Sequence, residues 1–198
     1  MTPLHNSESR SMPIVNITLI KGYSADARRR LSTHMTNLVS QFLGAVSEGT
    51  VVMVSELDQA SYMRGHENKN PLAPPPPAAG LVQDYLAAME SRDLDTAQSL
   101  LADGFWMEFP GGVRMTGLDE LIAWSAPRYR QIGKTFADFS EAFAKDETIV
   151  VCHGTLHGEW PDGTAFEGVR FVDRFTIANG KITSQMVWND LEAARPDL

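Results

Sequence analysis

Nine residues, PLAPPPPAA at positions 71–79, constrain this chain more than any other stretch. Proline has no amide donor and a fixed φ, so four in a row suit neither a helix interior nor a central strand and favour a stiff, extended conformation. The segment reads as a linker that divides the 198 residues. Charge changes across it: residues 1–70 carry 7 basic and 6 acidic side chains, residues 71–198 carry 10 and 19. The expected organisation is an N-terminal extension (1–11), a small unit (12–70), the linker (71–79) and a larger unit (80–198), with no internal repeat.

A hydrophobic share of 43% with 21% charged residues suits globular cores rather than disorder. The net charge of −8 argues against a nucleic-acid partner. The single cysteine, Cys152, can form neither an internal disulfide nor a zinc cluster, which points to a reducing compartment. No apolar run reaches the roughly 18 residues of a membrane span, and MTPLHNSESRSM lacks the apolar core of a signal peptide. A soluble, cytoplasmic protein with no membrane partner is expected.

In the first unit, PIVNITLI (Pro13 to Ile20) is β-branched and apolar, and Ser24 supplies a helix N-cap. Leu31, Met35, Leu38, Val39 and Phe42 form one helical stripe ended near Gly44, and VVMVSEL (Val51 to Leu57) is a second strand. The order β-α-β implies parallel strands joined by a right-handed crossover. A unit of this size buries little surface alone, so a homo-oligomer is expected.

In the second unit a helix carries Leu81, Val82, Tyr85, Leu86 and Met89 on one face, followed by a short helix from Leu94 to Leu101. The period then changes to two: strands are expected at Phe105–Phe109, Thr135–Ala144, Thr148–Trp160, Ala165–Ile177 and Lys181–Asp190, with a helix near Leu118–Ala126. Helices followed by a long antiparallel meander make an α+β fold, a curved sheet wrapped around helices over an apolar cavity.

Alternation selects candidates for that cavity. Glu167, Val169, Phe171, Asp173, Phe175 and Ile177 share the apolar face of one strand, and a carboxylate there is costly to ionise without a partner. Asp173 is therefore a candidate acid or hydrogen-bond donor, or a structural carboxylate paired with Arg170 or Arg174. Tyr85 lies on the apolar helix stripe, where its hydroxyl needs a partner or is simply core. His153 and His157 share a face with Ile149 and Val151 and are candidate bases or half-buried structural histidines. On the last strand Ile182, Met186, Trp188 and Asp190 share a face, which makes Asp190 a candidate acid or a cap. Phe105, Met107 and Phe109 share another face, with Glu108 opposite.

The segments MPIVNITLIKGYSADARRRL and VVMVSELDQASYMRG resemble the 4-oxalocrotonate tautomerase family. That resemblance implies a β-α-β oligomer whose N-terminal proline is the general base. Pro13 holds that position but follows Met12, so its nitrogen is a tertiary amide with no basicity. Tyr23 and Val51 stand where the family carries substrate-binding arginines, while Tyr62 matches its aromatic residue and Gly65 its hairpin glycine. The segments LVQDYLAAMESRDLDTAQSLLADGFWMEFPGG and VRFVDRFTIANGKITSQMVWND are similar to the nuclear-transport-factor-two-like superfamily, with its SnoaL-like cyclases and ketosteroid isomerases. This implies a cone-shaped sheet, with Tyr85 and Asp173 at the positions of an oxyanion pair and Phe109 at that of the general base.

Together these readings give cofactor-free, metal-free proton transfer beside the carbonyl of a small apolar molecule. Tyr85, Asp173, Asp190, His153 and Pro13 are the catalytic candidates, and Phe109, Trp188, Met107, Phe171, His157 and Tyr62 contact substrate. The alternative is a non-enzymatic binding protein in which the first unit only drives assembly.

Overall fold

A computed structural model describes residues 12–195. The chain separates into two compact units, with the boundary between Pro74 and Pro75 in the proline run.

In the first unit β1 (Ile14–Ile20) pairs in parallel with β2 (Val51–Leu57), from Ile14 opposite Val51 to Ile20 opposite Leu57. Pro13, which cannot donate, precedes β1, and its carbonyl accepts from Val51 N at 3.0 Å. Helix α1 (Ala25–Leu43) is capped by Ser24, whose Oγ accepts from Ala27 N at 3.1 Å, and ends at Gly44 in the left-handed region (φ 66°). A short hairpin, β3 (Met63–Arg64) and β4 (Glu67–Asn68), follows. Among the described residues of this unit only Ala45 is buried, and Phe42 is 81% exposed. An apolar stripe and a two-stranded sheet thus exist without a core of their own.

The second unit begins with α2 (Ala78–Ser91) and α3 (Leu94–Ser99). Leu81, Val82, Tyr85, Leu86 and Ala88 form the buried face of α2, as its apolar period requires. Ala78 and Ala79, grouped with the linker in the sequence reading, open this helix. Strands β5 (Leu101–Phe109) and β6 (Val113–Met115), helix α4 (Leu118–Ser125), the long strands β7 (Gln131–Ala144), β8 (Glu147–Glu159), β9 (Ala165–Ala178) and β10 (Lys181–Asn189), and a short α5 (Leu191–Ala194) complete it.

The six strands run in the order β6-β5-β10-β9-β8-β7. The expected antiparallel meander holds for β7 to β10, but β5 joins β10 in parallel. Asn179 (φ 52°) and Gly180 (φ 72°) turn β9 into β10 with the two positive φ values of a type I′ hairpin. The core lies between α2, α3 and the covered face of the sheet, with Phe175, Met107, Val150 and Ile182 fully buried.

Register shifts decide which residues face that core. On β9, Val169, Phe171, Asp173, Phe175 and Ile177 are buried as their alternation requires. Glu167 is exposed and Phe166 is buried instead, because the ladder with β8 shifts beside Gly168, which adopts φ 72°. On β8 the buried residues are Val150, Cys152 and Leu156, so His153, expected with Ile149 and Val151 on the inner face, is exposed on the other. On β10 a bulge between Ile182 and Ser184 reverses the phase: Gln185 and Val187 are buried, whereas Trp188 is 49% exposed.

Candidate functional site

The second unit encloses a cavity of about 640 Å³. Helix α2 contributes Tyr85, Leu86 and Met89, α4 contributes Leu121 and Trp124, and the sheet contributes Phe109, Phe136, Leu156, Phe171 and Val187. Part of the wall is aromatic: Phe109 meets Trp124 edge-on at 5.1 Å, and Phe136 meets Phe171 edge-on at 5.8 Å. Such a surface accepts a flat apolar molecule.

One polar chain crosses this wall. Tyr85 donates to Gln185 Oε1 at 3.3 Å, and Gln185 Nε2 donates to Asp173 Oδ2 at 3.4 Å. Lys134 forms an ion pair with the same Asp173 oxygen, and its ammonium lies 4.5 Å from the centre of the Phe171 ring. Asp173 has no solvent exposure and does not line the cavity, while Tyr85, Lys134 and Gln185 do. Asp173 Oδ1 has no hydrogen-bond partner. Burial, reinforced by the Asp173 charge, pushes the Tyr85 phenol well above its ordinary value, so it remains a hydrogen-bond donor at any physiological pH. Cys152 lies opposite Asp173 in the β8–β9 ladder, and burial, with the Asp173 charge adding to it, pushes its thiol up to about 12.

This geometry revises the expected pairing of Tyr85 with Asp173. The two are bridged by Gln185 rather than side by side, and the partner of Asp173 is Lys134 rather than Arg170 or Arg174. Arg174 instead donates to Thr176 Oγ1 at 3.1 Å. Asp173 Oδ2 accepts from both the Lys134 ammonium and the Gln185 amide, so the carboxyl holds two cavity-lining side chains in place.

The remaining candidates do not share one location. Phe109 and Phe171 line the cavity. Met107 is fully buried in the core and does not reach the cavity. His153, Trp188 and Asp190 lie outside it: His153 and Trp188 point away with the outer face, and Asp190 is held by Arg170 Nε at 2.6 Å ahead of α5. His157 is exposed and does not line the cavity, yet it covers Gly133, which does. A Cβ placed on Gly133 would lie 2.5 Å from His157 Nε2 and 3.1 Å from Glu90 Oε1. In the first unit Pro13 carries its amide to Met12, and Tyr62 is half-buried after the turn Gln59–Ser61.

Lys134 and Gln185 were missed by the sequence reading. For Lys134 a signal existed, since Ile132, Lys134 and Phe136 alternate on one face and a lone charge among apolar neighbours is the same sign that singled out Asp173. For Gln185 the β10 bulge removed it. Among the described residues no three His, Cys, Asp or Glu side chains cluster as metal donors.

A mixed six-stranded sheet packed against helices, over a cavity lined by aromatic and charged side chains, makes this unit an α+β domain. The chain belongs to the SnoaL-like domain family, whose model matches residues 82–185, and a tautomerase enzyme domain matches residues 13–70. The first unit is 35% identical over 51 residues to a probable tautomerase of Staphylococcus saprophyticus, across 26% of this chain and 84% of that one. The second unit resembles TerC co-crystallized with polyporic acid (21% identity, TM-score 0.50, 58% of this chain and 92% of that one). It also resembles a putative polyketide cyclase from Xanthomonas campestris pv. campestris (22% identity, TM-score 0.48, 59% and 93%). At 21% identity the likeness to TerC shows the fold alone.

Proposed function

We propose that the cone binds a small apolar carbonyl compound and enolises it without a cofactor. The supporting observation is that Lys134, whose ammonium has donors beyond its pairing with Asp173, and Tyr85 line one cavity and are joined behind it through Asp173 and Gln185; the Tyr85 hydroxyl serves a bound oxyanion by turning its single proton from Gln185 Oε1 to the ligand. Donors fixed in a water-poor site stabilise the negative oxygen that develops when a proton leaves the adjacent carbon. The carboxylates lining the cavity are Glu90 and Glu192. Glu90, beside Gly133 and His157, takes the α-proton in this reading and returns it to the carbon or oxygen of the enolate.

The test is exchange of the α-protons of 2-tetralone in D₂O, followed by NMR. Exchange above the buffer rate is expected, and Tyr85→Phe should slow it by roughly tenfold or more, the scale of a lost oxyanion donor. Glu90→Gln should slow it further. Binding with no exchange above buffer would leave the second reading, a non-enzymatic binding protein. That reading is favoured by Phe109, which cannot take a proton at the family's base position, and by the exposure of both lining carboxylates.

For the first unit, the amide at Pro13 supplies no base in this covalent form, so its contribution is assembly: α1, β1 and β2 bury none of their own side chains and are to be covered by further copies of the chain.

A further inference from the structure

The cavity lining is not evenly charged. Arg92, Arg128, Arg130, Lys134 and Arg195 line it against Glu90 and Glu192. Two of these cations are already paired, Lys134 with Asp173 and Arg130 with Glu159 at 2.7 Å. Arg92 and Arg128 have no ion-pair partner among the described residues, although the unit around them carries an excess of acid. Arg128 lies over the Trp124 ring, 4.0 Å from its centre, which keeps the guanidinium against the aromatic wall. Arg92 and Arg128 line the cavity together with the half-buried Tyr129; burial pushes that phenol up, while Ser125 and the two guanidiniums favour its charged form. The two cations therefore act on one wall of the cavity.

Arg92 has a second, independent peculiarity. It closes α2 in the left-handed region at φ 63° and ψ 24°, with its N–H bonded to Ala88 O and Met89 O. Glycine fits that position without strain, and an arginine there is less stable than glycine would be. The strained residue is also one that lines the cavity.

We propose that Arg92 and Arg128 form an anion-recognition subsite, so that the ligand of this cavity is an apolar carbonyl compound bearing a carboxylate. Its flat body packs against Phe109, Trp124 and Phe171, and its carboxylate meets the two guanidiniums beside Tyr129. A carboxylate matches the planar donor fork of arginine in a way a neutral amide of the same shape does not. The proposal rests on the cavity being the ligand site described above, but not on enolisation taking place there.

The experiment titrates the full chain with 2-naphthoate and with 2-naphthamide, its neutral counterpart of equal shape, reading tryptophan fluorescence and heat. The naphthoate is expected to bind at least tenfold more tightly, with a preference that shrinks as salt is raised. Arg92→Gly and Arg128→Gln should each lower the naphthoate-to-naphthamide ratio, and the double variant should bring it near one. Arg92→Gly should also raise the melting temperature by relieving the left-handed strain, which shows that lost selectivity is not lost folding. Equal affinities in the unaltered protein, a ratio that survives the double variant, or no binding of either compound would overturn the subsite. Exchange of 2-tetralone protons is read separately, so an active cone with no carboxylate preference refutes this proposal alone.

Discussion

Asp173 shows how one residue's surroundings set what it can do. On sequence grounds it is a carboxyl on an apolar strand face, and an acid kept neutral by burial is the natural expectation. In the structure its Oδ2 meets the Lys134 ammonium and the Gln185 amide, so the group holds two cavity-lining side chains in place. Cys152, across the ladder from it, responds to the same burial, and its pH behaviour can be checked. An unfolded thiol loses its proton above about 8.5, while the folded one keeps it to about 12. Between these values the folded state binds more protons, so this contribution to stability is whole below the unfolded pKa and is lost as pH rises through the folded one. Urea unfolding between pH 7 and 11 should show a decline of up to about 1.4 kcal/mol per pH unit from this group. Cys152→Ala should flatten it by that amount, and a slope unchanged by the substitution would remove the explanation.

At the scale of elements, the pairing of β7 with β8 leaves no room for a side chain at Gly154. A Cβ on Gly154 would stand 2.0 Å from Thr135 O and 3.1 Å from Ala137 N, both backbone atoms of the neighbouring strand that cannot swing aside. Gly154→Ala should therefore destabilise the protein by about 1–3 kcal/mol, the usual cost of overpacking, measured as a lower urea midpoint. The element boundaries carry a related lesson. Helices α1 and α2 were legible because their signals are local: a Ser24 cap, a Gly44 stop and an apolar stripe repeating every three to four residues. The faces of β8 and β10 were not. Both faces of β8 are apolar enough to be core, and the β10 bulge shifts Gln185 and Val187 inward after a regular start. A pattern of period two cannot record an inserted residue.

For the whole molecule, the decisive observation is that the first unit exposes Ile14 at 61%, Leu43 at 66% and Phe42 at 81%. Exposed apolar residues grouped on one helix and one small sheet mark an interaction surface. Light scattering in dilute solution should return a multiple of the 21.8 kDa chain mass, and Phe42→Glu should lower it. A monomer mass for the unaltered protein would refute the assembly.

The sequence by itself determined the division at the proline run, the β-α-β order of the first unit, the α+β character of the second, its apolar α2 stripe and the inward Phe171 and Asp173. These follow from composition and from periods of two and 3.6, which are local properties of the chain. Tertiary structure alone decided that β5 joins β10 in parallel, that Lys134 is the partner of Asp173, and that His153, Trp188 and Asp190 lie outside the cavity. The physical reason is range: Lys134 and Asp173 are 39 residues apart, and register shifts accumulated along the intervening strands set which side chains meet.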